Sequence, residues 1–555
     1  MTAAVQMSGA RGAPRTSALT RDPWIRERIG DCDVWYAGDV AVARELSVLP
    51  AGEGLAARAT KILGSRNLPF AVIADRPDGI LAATDHCRSY PVFFTQRPDA
   101  AIGSDAQSLR ESEGLNAFDD DAVREVAMSG FVTGASTICA GLRQLEPGAI
   151  AHWPAGTSTD TPVNGPHRWF VYTPDNTRST PDADLSGRLD AVMDAATDRV
   201  MISAQGAPVW VPLSGGLDSR LVLAKLKARG YDNLRAFSYG PRGNADAVVA
   251  QAIAEKLDVP WQFVPTPPRE VRDFFSGDVR RRYWEFSDRL AATPNNQDLL
   301  PLIKLRDNGD LPDDAVIVNG QTGDFISGGH VPARLFETPT STGALVAAII
   351  QRHYDLWHSL RTPENLAMAE THIRKTLGLP PGDDSMLEPE QAIGLWERFE
   401  YEGRQARYII NGQRSYEFLS LRWALPLWDG EMVRFWRDVP IAQKRDQHLY
   451  RQTWRDWNYR NVFTLPTRKV TAWSRPVSAG LIPLSIATRL VAGRRRRDRW
   501  MTYARYFDRF GNHYQAFGWK HFRRHAADAR NPAAFYTRAW LDERGVPWPG
   551  GATQP

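Results

Sequence analysis

Residues 214–219 read SGGLDS. They follow a short apolar run, PVWVPL at 208–213, and they open a segment of helical spacing at 219–229 that stops at Gly230. Gly215 and Gly216 give the chain backbone angles closed to other residues and let a ligand approach the main chain. Successive backbone N–H groups, the helix N-terminus and the hydroxyls of Ser214 and Ser219 then form a cradle for an anion. Asp218 would repel a bare phosphate, so a carboxylate here makes sense when a divalent cation bridges it to phosphate oxygens. A second loop, NGQTGDFISGGH at 319–330, follows the apolar run AVIVNG and places Asp324 106 positions after Asp218. Two carboxylates, phosphate oxygens and waters are the usual way Mg²⁺ is held. Asp218 and Asp324 are therefore the predicted metal ligands. The plainer alternative is a glycine-rich helix entry whose aspartate merely caps. The order strand, loop, helix favours the phosphate site.

Both loops need strands to hold them. From Leu185 onward the chain alternates between the two periodicities: helix at 185–204, strand at 208–213, helix at 219–229, strand LRAFSYG (234–240), helix at 245–257, strand at 315–320. Such alternation predicts a parallel α/β sheet, whose ligands sit at the carboxyl ends of the strands. Leu213, Ser238 and Gly320 end neighbouring strands, where such a ligand would sit. From about 340 to 555 the chain reads as mostly helical, rich in Trp and Arg. Before the boundary, residues 21–165 read as short strands, among them PFAVIAD (69–75), GILAATD (79–85) and YPVFFTQ (90–96). Residues 1–20 are expected to be a disordered tail, and 166–184, within a stretch rich in Thr, Pro, Asp and Asn, a linker.

Composition narrows the class. The 555 residues are 43% hydrophobic and 24% charged with a net charge of +4. That is a globular profile with no strong pull towards nucleic acid. Three cysteines without a CxxC pair argue against a disulfide framework or a zinc site and fit a reducing compartment. The N-terminus lacks the apolar segment of a secretory signal. The apolar stretch 479–492 contains Arg489 and is too short to cross a bilayer. A cytoplasmic protein is expected, without membrane or nucleic-acid partners. The GRRRRDR run (493–499) is expected to be a solvated face.

SGGxDS between strand and helix is the signature of PP-loop ATP pyrophosphatases, and the sequence as a whole resembles the asparagine synthetase family. The resemblance rests on SGGLDS (214–219), AFSYG (236–240), GQTGDFISGG (320–329), LPLWDGEMVRFWRDVP (425–440) and LPTRKVTAWSRP (465–476). More loosely, it also rests on FAVIAD (70–75), TDHCRSYPVFF (84–94), SDAQSL (104–109) and GFVTGASTICAGLRQLEPGAIAHW (130–153). It covers about 30–480 and implies a β-rich Ntn-hydrolase-like sandwich followed by a PP-loop synthetase domain (185–555). ATP and Mg²⁺ are the implied cofactors. Leu213, Ser214, Gly215, Gly216, Asp218, Ser219, Ser238 and Gly320 are the implied nucleotide contacts, and Lys469, Asp218 and Asp324 the implied catalytic residues. A small carboxylic acid would be adenylated and attacked by ammonia or an amine, and a homodimer is possible. Departures limit this. The family's glutaminase nucleophile is a cysteine at position 2, where this chain has Thr2, and Cys32 is internal. NGEIYN becomes AGDVAV (37–42) and DRFG becomes DHCR (85–88). A glutaminase fold without glutaminase activity follows. Gln321 stands where the family has an acidic residue, and Phe325 where it has glutamate. Glutamine cannot act as a base, so a substrate other than aspartate is expected. Readings left open are a glutamine-hydrolysing asparagine synthase, an amidotransferase or cyclase acting on a natural-product or polysaccharide acid, and a non-catalytic nucleotide-binding relative. A PP-loop tRNA-modifying enzyme is disfavoured by the missing cysteine pair.

Overall fold

The computed structural model describes residues 5–8, 14–19, 23–155, 164–174, 184–467 and 516–549, apart from 51, 53, 98 and 297, together with the isolated positions 483 and 506. The first half builds two sheets. Its elements are β1 (Val5–Ser8), β2 (Arg15–Leu19), β3 (Ile25–Ile29), β4 (Cys32–Gly38), α1 (Val40–Ser47), α2 (Leu55–Leu63), β5 (Phe70–Arg76), β6 (Gly79–Thr84), β7 (Phe93–Thr95), β8 (Ala101–Gly103), α3 (Ala106–Ser112), α4 (Asp120–Ser129), β9 (Leu142–Gln144), β10 (Ala149–Pro154) and β11 (Asn164–Arg168). Their order is β1-β2-β8-β7-β9 in one sheet and β11-β10-β6-β5-β4-β3 in the other. Side chains alternate between faces along a strand. Trp35, Ile73, Ala82 and Ala151 meet Ile102 of the other sheet in one core. Val34, Val72, Ala74 and Leu81 face the opposite way and pack with Val42 and Leu46 of α1 and Leu55 and Leu63 of α2.

Two expectations shift here. Residues 1–20, expected to lack structure, contribute β1 and β2. β2 runs parallel to β8, with Arg15 opposite Ala101 and Thr16, fully buried, opposite Ile102. The partner strand lies far along the chain, so no local pattern reveals the pairing. The boundary at 165 falls inside β11, which pairs with β10. The residues just after it are core: Trp169 stacks on Phe70 with ring centroids 6.2 Å apart, and Tyr172 stacks on Tyr401 at 4.5 Å and 8°.

The second half is a five-stranded parallel sheet. The elements are α5 (Leu185–Ala204), β12 (Val209–Pro212), α6 (Leu217–Ala228), β13 (Leu234–Gly240), α7 (Ala245–Leu257), β14 (Trp261–Pro265), β15 (Val316–Val318), a small pair β16 (Thr340–Ser341) and β17 (Met386–Leu387), and β18 (Arg422–Ala424). The sheet order is β14-β13-β12-β15-β18, every pair parallel. Its central strands β12 and β15 are apolar because both faces are covered. Val209 and Val211 point to the core shared with α5, α6 and α7, while Trp210, Ile317 and Phe237 point to the other core with the helices at 278–287 and 299–307. The chain thus folds as the expected α/β class. The aromatic stretch after 516 packs as core, with Phe522, Phe535 and Trp540 buried. Among the described residues no helix is long and apolar enough to cross a membrane. The stretch 479–492, the Arg run 493–499 and Thr2 lie outside the described residues, position 483 excepted.

The two halves share both large cores. Tyr172 sits at this junction, buried between Tyr401 and Phe325. Tyr172→Ala removes a fully buried ring and is expected to cost about 3 kcal/mol or more, read as a lowered midpoint in thermal or urea unfolding.

Candidate active site

In a parallel sheet the crevice opens where strand order reverses. Here the chain goes from β12 outward to β13 and β14, then returns to place β15 on the other side of β12. SGGLDS follows β12 and NGQTGD follows β15, so the two loops leave adjacent strands at the reversal. A cleft of about 1150 Å³ opens there. Leu213, Ser214, Gly216, Asp218, Ser219, Ser238, Gly320 and Asp324 line it; Gly215 does not, and Lys469 lies outside the described residues.

Glycine brings the loops together, by a route the sequence misjudges. Neither Gly215 nor Gly216 takes a positive φ; Gly216 is extended at φ −68°, ψ 174°. Space is what they supply. A Cβ on Gly215 would lie 2.7 Å from the Thr467 carbonyl and 2.8 Å from Asp246 Oδ1. Gly320 and Gly323 matter more. A Cβ on Gly320 would sit 2.5 Å from the Ser219 nitrogen, and one on Gly323 would sit 2.7 Å from Asp218 Oδ1. The second loop therefore lies directly on the first turn of α6. The cradle donors also differ from expectation. The Ser214 N–H donates to Ser219 Oγ (3.0 Å), the Gly215 N–H to Asp246 Oδ1 (2.9 Å), and the Gly216 N–H to Ser214 Oγ (3.1 Å). These bonds shape the loop from within. No side chain caps α6, so the amides of its first turn are the ones turned to an anion. Ser238 ties strands together as well as lining the cleft: its hydroxyl donates to the Leu213 carbonyl (2.6 Å) and accepts from Trp261 Nε1 (3.0 Å).

The two carboxylates meet. The Asp324 backbone N–H donates to Asp218 Oδ2 at 3.0 Å, and the Tyr450 hydroxyl donates to Asp218 Oδ1 at 2.8 Å. Asp324 Oδ2 lies 3.1 Å from His330 Nε2, and His330 Nδ1 lies 2.5 Å from Glu400 Oε1. Gln321 is held by Gln413, whose Nε2 donates to Gln321 Oε1 at 2.8 Å. That leaves the Gln321 amide nitrogen as the polar group offered to the cleft, a donor rather than a base.

A scan against family models matches asparagine synthase over residues 188–527. The chain belongs to the asparagine synthase family. No curated protein matches it. The match takes in the whole parallel sheet and both loops, and leaves the two-sheet first half and the last residues outside it. As a family member, the chain is an ATP-dependent, amide-forming synthetase in its second half.

Within this family domain the electrostatics separate two like groups. Burial, with the neighbouring Asp324 charge, pushes the Asp218 carboxyl up to about 7. Burial also works against the Asp324 charge, but the His330 imidazole outweighs it and holds that carboxyl below the usual range. Burial opposes the His330 charge too, yet its bonds to Asp324 and Glu400 raise the imidazole to about 9. Two carboxylates this close, one reluctant to ionise, gain from a cation between them. Their hard oxygens and their number suit Mg²⁺, which is held by one or two carboxylates plus phosphates and waters. Among the described residues no group of three or more His, Cys, Asp or Glu side chains is placed to hold a metal ion. Sequence reasoning missed Tyr450, His330, Glu400 and Gln413. His330 alone had a signal, being a titratable residue six positions after Asp324 in the same loop.

The Asp218 carboxyl has a folded value of about 7 against 3.8 ordinarily. A raised folded value means that its contribution to stability is full below 3.8 and is lost as pH rises through about 7. Asp218→Asn keeps both hydrogen bonds, accepting from the Asp324 N–H and donating to the Tyr450 hydroxyl. In the ligand-free protein, its melting temperature should exceed the parent's slightly near pH 5 and by several degrees at pH 8, because the parent loses stability progressively between 3.8 and about 7. Equal melting at both values would refute the like-charge reading.

Proposed function

We propose that the protein activates a carboxylic acid with ATP and joins it to ammonia or an amine, with AMP and pyrophosphate as products. The observation that carries this reading is the meeting of Asp218 and Asp324 at the strand-order reversal of an asparagine synthase domain. The substrate carboxylate attacks the α-phosphorus, the bond to the β-phosphate oxygen breaks, and pyrophosphate departs over the first turn of α6. Mg²⁺ on Asp218 and Asp324 would neutralise phosphate charge. The chain's own residues place the reactants: Tyr450 and the Asp324 amide fix the Asp218 carboxylate, and His330 with Glu400 fixes Asp324. Nitrogen then attacks the acyl carbon and AMP leaves. Placement and charge neutralisation account for most of the rate. We assign Lys469 to the transferring phosphoryl group. Support comes from Arg220, fully buried, whose guanidinium holds the Gly215, Leu465 and Pro466 carbonyls and so ties the segment leading to Lys469 onto the SGGLDS loop.

We also infer that nitrogen comes as free ammonia or a substrate amine, not from glutamine hydrolysed by the first half. All three cysteines are buried. Cys32 lies inside β4, its thiol 3.5 Å from the Ser47 carbonyl and pushed up by burial. The DHCR turn is buried between the halves, with His86 Nε2 2.9 Å from the Trp428 carbonyl and the Tyr401 hydroxyl donating to the His86 carbonyl at 3.0 Å.

The test is acid-dependent exchange of labelled pyrophosphate into ATP, with AMP release measured across a panel of acids. Asp218→Asn, melting like a folded protein, should lose exchange. Lys469→Met should lower it by roughly 10²–10³-fold. Ammonium should support amide formation where glutamine does not; equal rates with glutamine would overturn the inference on nitrogen. Full exchange in Asp218→Asn would overturn the site assignment.

A further inference from the structure

The cleft has a second end that the strands do not build. Its walls are Phe131 from the first half, Arg352 from the helix at 342–353, Arg404 and Tyr408 from the helical turns at 401–409, and Arg530 and Tyr536 near the C-terminus. Phe131 lies before residue 188, and Arg530 and Tyr536 lie after 527, so half of this wall falls outside the asparagine synthase match.

The carboxylates that line the cleft, Asp218, Asp246, Asp298 and Asp324, stand on the loops and helix starts that follow the sheet strands, whereas Arg352, Arg404 and Arg530 come from helical segments outside the sheet; a fourth lining arginine, Arg451, is bonded to Gln447 beside the Asp324 loop. The first three arginines are under-neutralised. The Arg352 guanidinium makes no hydrogen bond or ion pair among the described residues. Arg404 reaches one carboxylate, Glu400, at 3.7 Å, and Glu400 is already engaged by His330 at 2.5 Å and approached by His353 at 3.8 Å. Arg530 is fixed by donating to the Gln351 and Arg352 carbonyls, with Asp355 no nearer than 3.8 Å. Arginine is the side chain best matched to a carboxylate or phosphate. An exposed arginine alone means little, since most are simply solvated. Three of them on one stretch of the cleft wall, beside aromatic rings that line the same stretch, are a different arrangement. The cleft is also large. At about 1150 Å³ it exceeds the roughly 300–1,000 Å³ that holds a single small ligand, which leaves room beyond ATP for more than a four-carbon acid.

We propose that the activated acid carries a second anionic group, carboxylate or phosphate, separated from the reacting carboxyl by an apolar or aromatic body, and that Arg352 and Arg404 hold that group while Phe131, Tyr408 and Tyr536 pack on the body. The inference rests on the acid-activation reading above and names its substrate class.

The experiment is pyrophosphate exchange with the full chain and matched acids: aromatic diacids, their half-esters, phosphono analogues and aspartate. Diacids or phosphono acids should work at concentrations roughly tenfold to a hundredfold below their half-esters, the range of a charge-assisted hydrogen bond. The better of the two identifies the second group. Arg352→Gln and Arg404→Gln should raise the KM for the diacid by a similar factor and leave the KM for the half-ester and for ATP unchanged. Arg352→Lys should recover part of the loss. Half-esters or aspartate performing as well as diacids, or Arg variants that leave the acid KM unmoved, overturn this inference and leave activation standing. No exchange with any acid, in protein that melts cooperatively, overturns activation and this inference together.

Discussion

The hydrogen bond that ties the Asp324 backbone to the Asp218 carboxylate organises this half of the molecule. The Asp324 N–H donates to Asp218 across the reversal between β12 and β15. Each loop is short and would be unremarkable alone. Their contact requires that no side chain stand between them, which is why Gly320 and Gly323 lie against the first turn of α6. It also requires that the negative charge be managed. Tyr450 donates to one carboxylate, and the imidazole of His330 faces the other. The result is an asymmetric pair: one carboxyl ready to ionise, one held back by burial and its neighbour. Such a pair has the charge and the hard oxygen donors that suit a divalent cation bound together with phosphate oxygens.

Around that contact the rest of the fold acts as support. The parallel sheet fixes where the loops emerge because β12 and β15, apolar on both faces, cannot slide without exposing one core or the other. Arg220, buried under the SGGLDS loop, spends its donors on carbonyls of that loop and of the segment at 462–466. The seam between the halves is equally closed. Trp169, Phe170 and Tyr172 fill it with rings, and the DHCR turn is buried against Trp428 and Tyr401. The first half therefore braces the synthetase half, and through Phe131 it reaches the cleft itself.

Most of the second half was legible in the sequence. The helices at 185–204 and 245–257 and the strand 234–240 have the ends that their caps and periodicity indicate. Asp184, Asn244 and the αL residues Gln205 and Asp258 mark those ends locally. Asp218 and Asp324 were legible because their chemistry is local too: a carboxylate in a glycine-rich loop after an apolar run. The roles of the glycines were not. Gly215 and Gly216 read as conformational devices, yet what they supply is clearance from Thr467, Asp246 and Ser214, and clearance depends on what the rest of the chain brings near. The N-terminal strands escaped notice for a related reason, since β2 is defined by its pairing with β8, far along the chain, and β1 by its pairing with β2.

The sequence by itself determined the reaction family: the order of strand, SGGLDS and helix, then strand and GD loop, states an ATP site because each part is contiguous and its geometry is set by neighbours a few residues away. Tertiary structure alone decided which groups surround that site. Tyr450, His330 with Glu400, Gln413 against Gln321, and the arginines at the far end arrive from segments tens to hundreds of residues distant. Long-range contacts are fixed by how the two cores pack, and no local pattern of residue types records them.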